Sequence, residues 1–143
     1  MINDGLKMTG AVAIALNGEV VQEIPNLVVT AGKNWVASRM KDTTKAAMTH
    51  MAIGTNNTTA AVGQTSLSAE VARGALTSTT VSNNTIAYVE TFAAGTGTGA
   101  IIEAGVFNAS SSGDMLCRTV FSSGVVNKGS ADSMTITWTI TVS

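Results

Sequence analysis

The chain has 143 residues, a formal net charge of −1 and a sequence pI near 5.7, and only 12% of its residues are charged. This size favours a single domain, and a charge so close to zero provides no basic field that would attract nucleic acid. No apolar run approaches the ~20 residues of a membrane-spanning helix, so we expect neither nucleic acid nor a membrane as a partner.

The first predicted element is a β-hairpin. Residues 8–16 carry apolar side chains at every second position, as a strand with one buried face requires. Asn17 and Gly18 follow, and both tolerate the positive φ of a type I′ turn. We predict that residues 19–24 return as the partner strand and stop at Pro25, which cannot donate a ladder hydrogen bond.

One short helix is predicted near residues 30–41. Thr30 can cap it, and Trp35 belongs to an apolar stripe at helical spacing. We expect this helix to cover one end of a β-sandwich. Residues 48–54 are predicted to follow as a short strand, and residues 55–64 as a polar loop.

The second half of the chain carries short strands separated by turn signals. We predict strands at residues 73–82, 85–92, 100–108 and 115–121. Asn83 and Asn84 form a second tight-turn signal, and roughly seven to nine short strands with frequent turns are typical of a sandwich or barrel. The sequence therefore predicts an all-β fold over residues 8–143: a single-domain antiparallel β-sandwich, jelly-roll-like, with one short helix.

The last predicted strand has the clearest pattern. From Met134 to Val142 apolar residues alternate with threonines, which gives the strand one apolar face and one hydroxyl-bearing face. Both residue sets suit a pleated surface. The candidate core residues are Trp35, Ile136, Trp138 and Ile140.

Few residues offer chemistry. His50 is the only histidine and Cys117 the only cysteine, so neither has a visible ligand set or catalytic triad around it, and no intrachain disulfide is possible. We expect a structural histidine and an inert, buried thiol. Residues 95–100 match the Gly-x-Gly-x-x-Ala form of a dinucleotide turn, but strand-like residues follow where that turn needs a helix N-terminus. The sequence therefore predicts no catalytic residue, metal site, cofactor or enzymatic activity.

Five passages of the chain are distinctive as a set. They are Asn-Leu-Val-Val-Thr-Ala-Gly-Lys-Asn-Trp (26–35), Met-Ala-Ile-Gly-Thr (51–55), Leu-Ser-Ala-Glu-Val-Ala-Arg (67–73), the run 92–107, and the run 118–132 that leads into Thr-Ile-Thr-Trp-Thr. Together they resemble the small virion proteins of tailed bacteriophages, in particular capsid decoration (cement) proteins and related tail-fibre-associated proteins. The likeness covers about residues 20–143 and includes no catalytic motif.

The resemblance implies a non-enzymatic virion protein that is made in the host cytoplasm, binds the major capsid protein at the capsid surface as a homotrimer, and stabilises the head. The low charge fits large shared interfaces, whose cores are depleted in charged residues. A candidate capsid-contact arm is formed by Met1, Ile2, Asn3, Asp4, Gly5, Leu6 and Lys7. The alternative is a tail-fibre or baseplate-associated structural protein. A carbohydrate-binding β-sandwich is less favoured, because few aromatic residues are present to stack on sugar rings.

Overall fold

Two five-stranded sheets, one two-stranded sheet and one helix make up the part of the protein that the computed structural model describes, residues 5–41 and 45–143. The helix is α1 (Thr30–Lys41). The strands are β1 (Met8–Leu16), β2 (Glu19–Pro25), β3 (Leu27–Val28), β4 (His50–Gly54), β5 (Glu70–Ala75), β6 (Ser78–Ser82), β7 (Thr85–Phe92), β8 (Gly99–Ile101), β9 (Glu103–Phe107), β10 (Met115–Val120), β11 (Val126–Lys128) and β12 (Met134–Val142).

The two large sheets enclose the main hydrophobic core. The first sheet has the strand order β2-β1-β12-β7-β6, the second has the order β3-β10-β9-β4-β5, and β11 pairs with β8 in the third. All of these pairs are antiparallel. Trp138 of the first sheet and Met51 of the second belong to the same core cluster. The prediction of an all-β antiparallel sandwich with one short helix is thus confirmed, and the jelly-roll-like connectivity stays a prediction.

β12 lies at the centre of the first sheet, where its alternating pattern places one face in the core. Ile136, Trp138 and Ile140 are at most 1% exposed, and the threonines between them are half-buried on the opposite face. Trp35 lies at the margin of the core instead of within it. Its ring packs against the core cluster from α1 while its indole N–H donates to the Ala46 carbonyl at 2.7 Å.

The two tight turns lie where the sequence predicts them. Asn17 and Gly18 have φ values of 51° and 82°, and Asn83 has a φ of 52°, as left-handed turn positions require. Asn17 also fixes the neighbouring turn through its side chain. Its amide donates to the Asp132 carboxylate at 2.8 Å and accepts the Ser133 backbone N–H at 3.0 Å.

Residues 73–82 were predicted as one strand, and this prediction is wrong. The chain changes sheets within them, because β5 pairs with β4 in the second sheet whereas β6 pairs with β7 in the first. At the corner the Leu76 N–H donates to the Thr49 carbonyl at 2.9 Å and the Thr77 N–H to the Val89 carbonyl at 2.7 Å. Both corner residues keep backbone hydrogen bonds, and neither of them is a glycine or a proline.

Residues 100–108 are also divided between two sheets. β8 ends at Ile101 and joins the small sheet, whereas β9 begins at Glu103 and joins the second sheet. Ile102 lies between them. Its N–H donates to the Gly54 carbonyl at 2.9 Å, and its carbonyl oxygen accepts a hydrogen bond from the Phe121 N–H at 2.8 Å. The backbone remains paired through this break as well.

Helix α1 begins at Thr30, as the sequence predicts, and its first turn packs closely against β10. A side chain at Gly32 would overlap the backbone carbonyl of Leu116, so this contact requires glycine. With 12 residues α1 is short, and none of the described residues form a helix long and apolar enough to cross a membrane.

Candidate functional surface

A fully buried ion pair joins two adjacent strands of the second sheet, the central strand β9 and its neighbour β10. Arg118 on β10 and Glu103 on β9 both have side chains that are 0% exposed. The Arg118 Nη2 and Nε atoms donate to Glu103 Oε1 at 2.9 and 3.2 Å. Charges removed from water are tolerated only when they are paired and hydrogen-bonded, so these two residues depend on each other.

The same ion pair anchors the long connection between β4 and β5. The Glu103 carboxylate accepts the backbone N–H groups of Asn56, Ser68 and Ala69 at 3.1, 3.0 and 2.9 Å. Arg118 Nη1 donates to the Thr58 carbonyl at 2.8 Å and to Gln64 Oε1 at 3.1 Å. The connection is therefore held to the sheet by charge-assisted hydrogen bonds at both of its ends.

Arg73 on β5 anchors a second connection, the one between β9 and β10. Its guanidinium forms a bidentate pair with Glu70 at 2.7 and 3.0 Å and lies 3.8 Å from the centre of the Phe107 ring. Nη1 also donates to the carbonyl oxygens of Ala109 and Ser112 at 3.0 and 2.9 Å. One side chain thus fixes both ends of this turn.

Sequence reasoning missed both networks. The available signal was the presence of single charged residues inside otherwise apolar strands, Glu103 in Glu-Ala-Gly-Val-Phe and Arg118 in Met-Leu-Cys-Arg-Thr-Val. Charged residues are almost never fully buried unless they are paired.

The outer side of the first sheet is a broad surface of small, uncharged side chains. We call it the Ala/Thr face. Its rows follow the strand register: Pro25, Ala11, Thr139, Ala87 and Thr80 form one row, and Glu23, Ala13, Thr137, Val89 and Ser78 form the next. Among the residues of these five strands, charge is confined to β2 and to Glu90 of β7, which is only 7% exposed and points inward.

A shallow groove of about 520 Å³ crosses the Ala/Thr face between β2 and β12. Ala11 and Ala13 form its floor, because alanine leaves space that the longer side chains of the flanking strands do not fill. Thr137 and Thr139 border it on one side and Pro25 on the other. Glu23 is the one charged group that lines this groove.

An exposed apolar patch lies along the free edge of the same sheet. We call it the valine edge: Val20, Val21 and Val125, which are 57%, 46% and 48% exposed. The β1–β2 register shifts by one residue at this point, a β-bulge that leaves Val21 without a partner on β1. Gln22 beside it donates to the Gly124 carbonyl at 2.7 Å, which holds Val125 next to β2.

The chemistry-bearing residues do not assemble into a site. His50 is half-buried on β4, and its Nδ1 lies 2.8 Å from Thr49 Oγ1. Cys117 is fully buried, and burial raises the pKa of its thiol well above the ordinary value, against smaller lowering effects of hydrogen bonds from Val106 and Asn26. Within residues 5–41 and 45–143 no group of three or more His, Cys, Asp or Glu could hold a metal ion.

The glycines at 95 and 97 lie in a loop between β7 and β8. The element that follows is strand β8, so the helix N-terminus that a dinucleotide turn needs is not present at this position.

The predicted arm lies partly outside the described residues, which do not include Met1, Ile2, Asn3 and Asp4. Gly5, Leu6 and Lys7 are exposed, Leu6 to 75%. Lys7 and Ser143 exchange two backbone hydrogen bonds, of 2.7 and 2.9 Å. Lys7 therefore continues the β1–β12 ladder and is attached to the sheet.

In comparisons with known proteins, no family model matches the chain, and neither the curated proteins nor the solved structures give a significant match. The surfaces described above are therefore the basis on which a function can be argued.

Proposed function

We propose that this protein is a non-enzymatic structural component of a tailed-bacteriophage virion, a capsid decoration protein that binds the capsid surface as a homotrimer. The observation that carries the proposal is the Ala/Thr face. Protein interfaces are depleted in charged residues at their cores, and four of the five strands behind this face, β1, β12, β7 and β6, present no charged side chain to the outside.

The anchored connections support the same proposal. Arg118 and Arg73 hold the β4–β5 and β9–β10 connections in one conformation. A surface that is ordered before binding loses less conformational entropy on binding. A decoration protein, which occupies many equivalent sites on a shell, benefits from surfaces of this kind.

The shell contact is proposed at the end of the sandwich where the described part of the arm, residues 5–7, lies. Leu6 and Lys7 border a groove of about 440 Å³ together with Val28 and Lys33 of the β3–α1 region. This groove adjoins the Ala/Thr face at Thr9, an exposed residue of β1 that also lines the groove. In this proposal the trimer contact uses the centre of the Ala/Thr face, around Thr137 and Thr139, and the capsid contact uses the groove beyond Thr9.

The test is co-sedimentation with undecorated capsids of the phage that carries this sequence. A variant lacking residues 1–6 should fold normally, because the ladder begins at Lys7, but should pellet with capsids less than the intact chain. Val81→Ser, which changes an exposed valine on β6, is the control and should bind as the intact chain does.

Normal capsid binding by the truncated chain would refute the arm. Failure of the intact chain to bind capsids would refute the decoration role. Binding to isolated tails would then favour the tail-fibre or baseplate role, and binding to glycans the carbohydrate-binding role.

A further inference from the structure

We propose that Asn17 is a site of spontaneous deamidation, and that the Asp132 carboxylate holds this site closed while the chain is folded. The inference goes beyond the proposed function and does not depend on it. Asn17 and Gly18 form the one Asn-Gly pair in the sequence, and both residues are exposed at the tip of the β1–β2 hairpin. The modification needs no enzyme and no co-reactant except water.

The reaction closes a ring within the Asn17–Gly18 pair. The backbone nitrogen of Gly18, whose proton is lost to water or hydroxide, attacks Asn17 Cγ and forms a new C–N bond. The bond between Cγ and Nδ2 breaks, and Nδ2 takes up a proton and leaves as ammonia. Water then opens the cyclic imide at either carbonyl, which leaves an aspartate or an isoaspartate linkage at position 17. The sum is loss of ammonia and uptake of water, with no oxidation or reduction.

Gly18 leaves its backbone nitrogen open to this attack. A side chain on the residue after an asparagine hinders ring closure, and glycine has none. A Cβ added at Gly18 would meet nothing within 4 Å, so no group from elsewhere in the described chain covers the residue. Asn83 occupies the equivalent position in the β6–β7 turn with a φ of 52° against 51° at Asn17, but Asn84 follows it. The two turns therefore provide a comparison within one chain.

In the folded chain the Asn17 side-chain amide is held at both of its ends. Nδ2 donates to Asp132 Oδ1 at 2.8 Å, and Oδ1 accepts the Ser133 N–H at 3.0 Å. The Asn17 backbone N–H also donates to the Ser133 carbonyl at 2.8 Å. Ring closure turns the side chain towards the Gly18 nitrogen and releases Nδ2, so it must break the hydrogen bond to Asp132. The folded turn therefore opposes the reaction.

Asp132 is itself fixed in the position from which it holds Asn17. Its second oxygen, Oδ2, accepts the Gly129 N–H at 2.7 Å, so both oxygens of the carboxylate are engaged. The hydrogen bonds from Asn17 and Gly129, together with the Lys128 charge, lower the pKa of Asp132 against the raising effect of desolvation. The carboxylate is therefore ionised at neutral pH and accepts the Asn17 hydrogen bond as an anion.

Deamidation turns this attraction into a repulsion. The product at position 17 is a carboxylate, which has no N–H to donate and lies opposite the ionised Asp132. Two negative charges at hydrogen-bond distance disfavour each other, so the β1–β2 turn separates from the connection between β11 and β12. The nearest pair of the β1–β12 ladder is Leu16 with Met134. The modification therefore loosens the hairpin and one end of β12.

The first experiment measures deamidation of Asn17 in the full chain and in two variants. Asp132→Ala removes the acceptor of the Asn17 amide. Glu23→Ala is the matched control, because it removes an exposed carboxylate from the same hairpin and leaves the Asn17 contacts intact. Each protein is incubated in mildly alkaline buffer with and without denaturing urea, and peptide mass spectrometry measures the modified fraction at Asn17 and Asn83. Thermal melting checks that each variant is folded.

In the folded state the unchanged chain and Glu23→Ala should react slowly and at the same rate. Folded Asp132→Ala should react about fivefold faster at Asn17, because one hydrogen bond that opposes ring closure is removed. In urea all three proteins should share one faster rate, and Asn17 should react before Asn83.

The second experiment tests the consequence of the modification through two further variants. Asn17→Asp introduces the carboxylate of the product directly and should lower the melting temperature, because it faces Asp132. Combining it with Asp132→Asn should restore the melting temperature, since the amide and the carboxylate are then exchanged across the same contact.

Equal rates in the folded unchanged chain and in folded Asp132→Ala would overturn the closing role of Asp132. A faster reaction at Asn83 than at Asn17 in urea would overturn the choice of site. An unchanged melting temperature for Asn17→Asp would overturn the proposed loosening of the hairpin.

Discussion

Replacing Arg118 by methionine tests how strongly the buried ion pair holds the β4–β5 connection. The substitution keeps an unbranched apolar side chain and removes the guanidinium. The Glu103 carboxylate then stays 0% exposed without its cation, and the acceptors at Thr58 and Gln64 lose their donor. Breaking one side of a buried pair costs roughly 3–5 kcal/mol, a large share of the ~5–15 kcal/mol that stabilises a typical domain.

Arg73→Met is the matched control, because it removes the same group from a less enclosed pair. The Glu70 side chain is 31% exposed, so its carboxylate can be hydrated when Arg73 is removed. We expect a smaller loss, of about 2 kcal/mol, from the partly exposed pair, from the Ala109 and Ser112 carbonyls that lose their donor, and from the contact with the Phe107 ring.

Urea unfolding followed by tryptophan fluorescence measures both changes in the free energy of unfolding. Hydrogen exchange adds a local measurement. The backbone N–H groups of Asn56, Ser68 and Ala69 donate to the Glu103 carboxylate, and their exchange with solvent should be faster in Arg118→Met. A loss below about 1 kcal/mol for Arg118→Met, or a larger loss for Arg73→Met, would contradict the reasoning.

Three further predictions concern the core. Trp138→Ala should lower the free energy of unfolding by roughly 3–5 kcal/mol, because Trp138 is 0% exposed. Thr137→Val on the opposite face should change the free energy of unfolding by under about 0.5 kcal/mol. Denaturant unfolding compares the two variants, and a larger effect at Thr137 would show that the two faces of β12 are assigned the wrong way round. Burial, with a smaller contribution from Cys117, raises the pKa of Tyr88 to about 12 against the lowering effect of Arg39. Because Tyr88 is the only tyrosine, tyrosinate absorbance should show this midpoint in the folded protein. The stability that depends on the neutral phenol should be complete below about pH 10 and should be lost as the pH rises from about 10 to 12. Tyr88→Phe should remove this loss of stability, and a titration midpoint near 10 in the folded protein would contradict the prediction. Gly32→Ala should lower the melting temperature through a cost of about 1–3 kcal/mol, because the added methyl overlaps the Leu116 carbonyl; an unchanged melting temperature would show that α1 can move away from β10.

The elements that the sequence predicts correctly are those with a local cause. β1 and β12 follow from alternation over nine residues each, the first turn from Asn17 and Gly18, and α1 from a cap at Thr30. Each of these signals lies within a few residues of the structure that it specifies.

The elements that the sequence does not predict depend on distant residues. The change of sheet at Leu76 and the break at Ile102 keep backbone hydrogen bonds to Thr49 and Gly54, so neither leaves a turn residue in the sequence. The very short strands β3 and β11 form only through their partners β10 and β8. Arg118 contacts Glu103 across 15 residues and Thr58 across 60, a distance over which no periodic pattern extends.

The candidate surfaces also contain a part with a local sequence signal and parts that depend on distant residues. The threonine side of β12 is evident from its alternation, but the Ala/Thr face is visible only when the register places Ala11 and Ala13 beside Thr139 and Thr137. The valine edge requires a bulge in β2 and a turn that follows β10, two features from opposite halves of the chain.

Negative-stain microscopy of virions labelled through this chain tests the central claim most directly. A gold or antibody label attached to the protein should decorate the head at many regularly spaced positions and should be absent from the tail. Labels confined to the tail, the baseplate or the fibres would contradict the proposed decoration of the capsid.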